Sequence, residues 1–203
     1  METRLREITP EPELAVLLST YQEYGGVLDY VFLETETEEP PEKLHRAAAL
    51  AGMRAIDRRL EQWAIHRASK DMPIDMFFRV RCDETKLTGK SVSFSEFWGT
   101  DDVERKPIGK NAWSIPTVDG YKTAFFHPPY NLYGGKAKEH TKLFTDINSY
   151  VFGEIPEQTQ FFSWSTDWSN YFDAGHEWWG AFFWTIWLAS QRRFVVIGAS
   201  STD

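Results

Sequence analysis

The stretch QFFSWSTDWSNYFDAGHEWWGAFFWTIWLASQRRFVVIGA, residues 160–199, decides the fold. Aromatic and β-branched residues crowd three short runs within it, at 160–164, 181–188 and 193–199. Such residues suit the pleated, packed surface of a sheet, so each run is predicted as a strand. Only Ala189 to Arg192 separate the last two runs, a hairpin-length connection. Strands joined in this way pair antiparallel.

Upstream segments supply helices to cover that sheet. Pro41 opens an amphipathic helix expected over about 41–68, with Ala49, Met53, Ile56, Leu60 and Trp63 on one stripe and Arg54, Asp57, Arg58 and Glu61 opposite. Alanines in its first half allow close approach to a sheet. A second helix is expected over about 137–152, with Leu143, Phe144, Ile147 and Val151 on one side and Gly153 closing it. Near the start, Thr9-Pro10 followed by Glu11 and Glu13 has the chemistry of a helix N-terminus, and Gly25-Gly26 stops that helix. Val27 to Leu33 then reads as a strand.

Three more strands are expected. In Ile74 to Cys82, the residues Ile74, Met76, Phe78, Val80 and Cys82 alternate with Asp75, Phe77, Arg79 and Arg81, which makes Cys82 a core thiol. Lys90 to Trp98 and Tyr121 to Phe126 are the others. Helices interspersed with strands predict a single α+β domain over 1–203, its mainly antiparallel sheet packed against the helices at about 41–68 and 137–152.

Composition bounds the function. Hydrophobic content of 42% with charged content of 26% excludes wholesale disorder. Net charge is 22 − 30 = −8, which argues against nucleic acid and against an anionic membrane surface as partners. One cysteine excludes an intramolecular disulfide and the four-cysteine zinc modules. No apolar block follows the charged start, and the longest apolar run, Trp178 to Ala189, is too short to span a bilayer. A cytoplasmic address is the expectation.

Familiar motifs fail on single residues. Gly89-Lys90-Ser91 lacks the earlier glycine of a phosphate loop, because Glu84 stands there. Gly134-Gly135-Lys136 is followed by Ala137 where that loop needs Ser or Thr. His176-Glu177 has Gly180 where a zinc protease needs its second histidine, and the five histidines show no metal-ligand spacing. No Gly-x-Ser-x-Gly elbow occurs. His127-Pro128-Pro129-Tyr130 resembles the Pro-Pro-Tyr loop of amino-methyltransferases over four residues, but His127 replaces that family's acidic or amide residue and no glycine-rich loop accompanies it. As structure it is a rigid turn that aims His127 and Tyr130. No metal and no cofactor are expected.

Charge is unevenly spread. From Leu143 to Gln191 there is no Lys or Arg, yet the segment holds six acids and six of the nine tryptophans. Its counter-charges must come from the cation-rich segment Glu42–Lys70 or from a ligand. The connection at about 164–179 concentrates this chemistry, and loops on a rigid sheet carry function disproportionately often. Trp168, Trp178 and Tyr130 are therefore candidate ligand-binding residues, with rings able to stack on a ligand or enclose a cation. Asp167 and Asp173 are candidate acceptors for a basic protein partner or a small molecule. The alternative is a hydrolase, with His176 or His127 as base and Asp167, Asp173 or Glu177 as orienter or acid.

Overall fold

A computed structural model of the chain describes residues 5–35, 42–69, 71–99, 120–153, 155, 158–178 and 180–200. One six-stranded antiparallel sheet organises them, in the order β1 (Arg6–Ile8), β2 (Leu28–Glu34), β6 (Arg193–Ala199), β5 (Phe182–Leu188), β4 (Gln160–Trp164), β3 (Gly89–Val92). The fold is α+β, as the sequence predicts. Strands β4, β5 and β6 form a meander, and the β5–β6 hairpin turns through Arg192 in the left-handed region at φ 49°.

Alternation along the strands builds two apolar faces, so helices must cover both. Tyr30, Phe32, Trp184, Ile186, Val195 and Ile197 point to the first face. It is covered by α1 (Pro12–Glu23), α3 (Phe94–Trp98), α4 (Gly120–Phe126) and α5 (Ala137–Val151). Val31, Leu33, Phe162, Phe183, Trp187, Phe194 and Val196 point to the second. There α2 (Glu42–Arg67) lies across β2, β5 and β6 on its small residues, and Gly52 sits directly over Val196.

Several expectations are corrected. The first helix starts at Pro12 with Glu11 as its cap residue, because residues 6–8 are taken up by the short edge strand β1. Ile74–Cys82 is no strand: a 3-10 turn at Ile74–Met76 leads into irregular chain with a single bridge, Cys82 to Ser169. Cys82 is exposed, not a core thiol. Lys90–Trp98 divides at Ser93, whose hydroxyl and the Glu96 carboxylate form a reciprocal cap that ends β3 and starts α3. Tyr121–Phe126 is the helix α4, buried on nearly every side. Trp63, assigned to the packed stripe of α2, stands out in solvent because the last turns of the helix run past the sheet. The sequence also reads as a polar loop from Gly99 to Lys110 and an exposed acidic loop from Glu34 to Glu39, and of these only Gly99, Glu34 and Thr35 are among the described residues.

Candidate functional site

The connection after β4 is a folded cap on the second face. Ser165 fixes its start: its N–H donates to the Thr88 carbonyl at 2.7 Å and its hydroxyl donates to the Lys86 carbonyl at 3.0 Å. Asn170 fixes the middle, with Oδ1 accepting from the Arg81 N–H at 2.6 Å and Nδ2 donating to the Arg79 carbonyl at 2.9 Å. A 3-10 turn at Asn170–Phe172 then passes into α6 (Asp173–Trp178). The inner side of this cap is core. Trp168 packs on Phe172 and Phe183, and the Tyr171 hydroxyl donates to Asp29 Oδ2 at 2.7 Å. Burial pushes the Asp29 carboxyl up, against the pull of the Tyr171 hydroxyl and the Arg59 charge.

The outer side carries the polar candidates. Asp167, Asp173 and His176 are exposed, and His176 Nε2 lies 2.6 Å from the Thr166 hydroxyl. Trp168, one of the candidate ligand-binding rings, is sealed inside and offers no face to a ligand. Glu177 and Trp178 belong to α6 by backbone, but their side chains lie outside the described residues. His127 and Tyr130 follow α4 and so lie on the opposite side of the sheet. The structure thus keeps Asp167, Asp173 and His176 on one surface and leaves His127 and Tyr130 remote from it.

Counter-charges decide what that surface can do. Four of the five arginines of α2 are engaged elsewhere by polar partners: Arg54 with Glu84 at 3.1 Å, Arg58 and Arg59 with Glu7 at 2.6 and 3.0 Å, and Arg46 with the Leu87 and Glu84 carbonyls, while Arg67 lies over the Trp63 ring. Among the described residues, none of Asp167, Asp173 and His176 makes an ion pair. No group of three or more His, Cys, Asp or Glu among the described residues is placed to hold a metal.

Beneath the cap lies a polar network absent from the sequence candidates. His45 is fully buried between a stacked Phe162 and an edge-on Phe194. Its Nδ1 lies 2.9 Å from the Thr185 hydroxyl and its Nε2 lies 3.2 Å from Gln160 Oε1, while Trp164 Nε1 donates to the same hydroxyl at 2.9 Å. One proton arrangement satisfies the whole chain: Trp164 donates to Thr185, Thr185 to Nδ1, and Nε2–H to Gln160. Burial lowers the imidazole to about 4, so it is neutral at ordinary pH. Closed to solvent, His45 is a structural group. Extending the α2 stripe backwards from Met53 through Ala49 reaches it in steps of four, the signal that identifies it as core.

A cleft of about 580 Å³ opens at the β1 edge, between α1, Tyr30 and Arg59. Its charged groups are already joined, since Arg59 donates to Glu7 and to the Tyr30 carbonyl. No helix among the described residues is long and apolar enough to cross a membrane. No family model, no curated protein and no solved structure matches the chain.

Proposed function

We propose that this protein is a binding module whose acidic cap, presenting Asp167 and Asp173, captures a cationic partner, a basic protein segment or a small basic ligand. One observation carries the proposal: both carboxylates are exposed and without an ion pair among the described residues, while Arg46, Arg54, Arg58 and Arg59 of α2 are held by Glu7, Glu84 and backbone carbonyls. A net charge of −8 adds long-range attraction for such a partner. The cap is fixed at Ser165 and Asn170, so little ordering is needed on binding. The exposed Cys82 thiol suits a reducing compartment such as the cytoplasm.

A lysine- and arginine-rich peptide titrated by fluorescence anisotropy tests this at low and physiological salt. The Asp167→Asn/Asp173→Asn variant should bind at least ~10-fold more weakly, with unfolding free energy within about 0.5 kcal/mol of wild type, as for exposed side chains. Unchanged affinity overturns the proposal. So does a several-kcal/mol loss of stability, which would make both carboxylates part of the scaffold.

The Thr166–His176 contact favours one other reading, hydrolysis with the threonine hydroxyl as nucleophile and His176 as its base. It lacks an orienting carboxylate on His176 among the described residues. Turnover of an ester panel that disappears in both Thr166→Val and His176→Ala would establish it.

A further inference from the structure

We propose that the segment joining α2 to β3 is a homodimer interface, docking against the same segment of a second copy of this chain. Alternating apolar residues here have found no core to enter. Trp63, Met72, Ile74, Met76 and Phe78 are exposed at 52%, 50%, 36%, 70% and 45%. Four of them fall within residues 72–78, and that stretch returns along the last turns of α2 beside the fifth: Phe77 meets Trp63 edge-on at 5.6 Å, and Arg79 pairs with Glu61 at 2.7 Å.

The ridge is held at both ends. Ser69 and Met72 exchange two hydrogen bonds, with Ser69 N–H donating to the Met72 carbonyl at 3.0 Å and Met72 N–H to the Ser69 hydroxyl at 3.2 Å. At the other end Asn170 clamps the backbone of Arg79 and Arg81. Arg67 lies 5.2 Å over the Trp63 ring and gives the patch a polar margin. The apolar side chains are therefore presented on a preformed surface.

Size and charge select the occupant. At about 200 Å² for a large side chain, the exposed fractions add up to roughly 500 Å² of apolar surface, in the upper part of the range for the largest patch on a solitary protein, where such patches are often functional. Homodimer interfaces are about 65% apolar, so 500 Å² implies roughly 800 Å² buried on each copy, the size of a standard stable interface. The acids Asp71 and Asp75 lie towards one end of the segment and Arg81 at the other, while Arg79 is taken up by Glu61. A two-fold axis through the middle reverses one copy relative to its mate, so each acidic end meets a basic end. A segment with this polarity complements itself.

Sedimentation equilibrium of the full chain from 1 to 100 µM tests the proposal. Wild type should approach twice its 23.6 kDa. Met76→Asp/Phe78→Asp should be monomeric across that range, with an unchanged far-UV spectrum and a melting temperature that, unlike that of wild type, does not rise with protein concentration. Asp75→Arg and Arg81→Asp should each raise the dimer dissociation constant at least tenfold, and their combination should restore it. A monomeric wild type overturns the proposal, and co-sedimentation of that monomer with phosphatidylcholine vesicles would assign the patch to a lipid surface instead. A dimer indifferent to these substitutions overturns it equally.

Discussion

The hydroxyl of Thr185 lies 2.9 Å from Nδ1 of His45, and this contact joins α2 to β5, near the centre of the sheet, through an aromatic face. Because Trp164 Nε1 donates to the same oxygen, a single threonine serves two buried ring nitrogens. Thr185→Val keeps the shape and removes the oxygen, leaving both nitrogens unpaired. Each orphaned buried group costs about 1–3 kcal/mol, so the expected loss is roughly 2–4 kcal/mol in urea unfolding. Thr185→Ser should recover more than half of it. A valine variant as stable as wild type would show that the hydroxyl does not hold this network.

The same imidazole makes stability depend on pH. An unfolded histidine protonates near 6.5 and folded His45 only near about 4, so between these values the unfolded chain binds the extra proton. Stability is complete above pH 6.5 and falls as pH drops towards 4, by about 3 kcal/mol in the limit. Carboxylates also titrate near the lower end, and the comparison that isolates His45 is with His45→Gln, which does not ionise. Unfolding free energies from pH 4 to 7 should diverge between the two proteins below 6.5. Parallel curves would mean that His45 is accessible to protons in the folded state.

Tyr171 and Asp29 tie the acidic cap to β2 through a 2.7 Å hydrogen bond. Burial raises the Asp29 carboxyl, so the tyrosine hydroxyl is the donor that keeps its ionised form tolerable beside Arg59. In Tyr171→Phe that form loses its donor while the ring still packs on Phe172. The expected cost at pH 7 is about 1–2 kcal/mol, the low end for a bond to a charged group because Asp29 is half-buried. Protonating Asp29 removes the need for the donor, so the difference from wild type should shrink as pH falls. A penalty independent of pH would place the cost in packing.

The sheet was legible because its C-terminal strands carry their own partners: 160–164, 181–188 and 193–199 pair with each other, and their aromatic and β-branched composition needed no distant information. The helices α2 and α5 were legible from stripes long enough to show a 3.6-residue period. Ile74–Cys82 has an equally clean alternation, yet period two says only that a segment could pleat, not that a sheet edge is waiting for it. At Tyr121–Phe126 the helix is too short to display a period, and burial on nearly all sides removes the polar face that would reveal one. In the candidate site, the exposed acids followed from the missing cations. The sealing of Trp168 did not, because a tryptophan in a loop sequence carries no sign of which side the loop will turn inward.

At Gly52 α2 comes close against Val196 of the sheet, and here two local rules oppose each other. Alanine is favoured over glycine inside a helix by about 1 kcal/mol, which on its own makes Gly52→Ala a stabilising change. A methyl group at this position would stand 2.6 Å from Val196 Cγ1 and 2.9 Å from Val196 Cβ. Val196 cannot retreat, because its side chain is stiff at χ1 and its backbone is paired on both sides, to Val31 and to Thr185. Overpacking of this kind costs about 1–3 kcal/mol and outweighs the propensity gain. Gly52→Ala should therefore lower the melting temperature by several degrees, since about 1 kcal/mol shifts it by roughly 2–4 °C in a domain of this size. Gly52→Ala/Val196→Ala removes both Cγ methyls from the clash but keeps the Cβ at 2.9 Å and opens a void on the strand side, so it relieves only part of the strain and should show a coupling energy above about 0.5 kcal/mol. Additive effects in that cycle would mean that α2 shifts away from the sheet without resistance, and that its small-residue stripe does not set the helix-to-sheet distance.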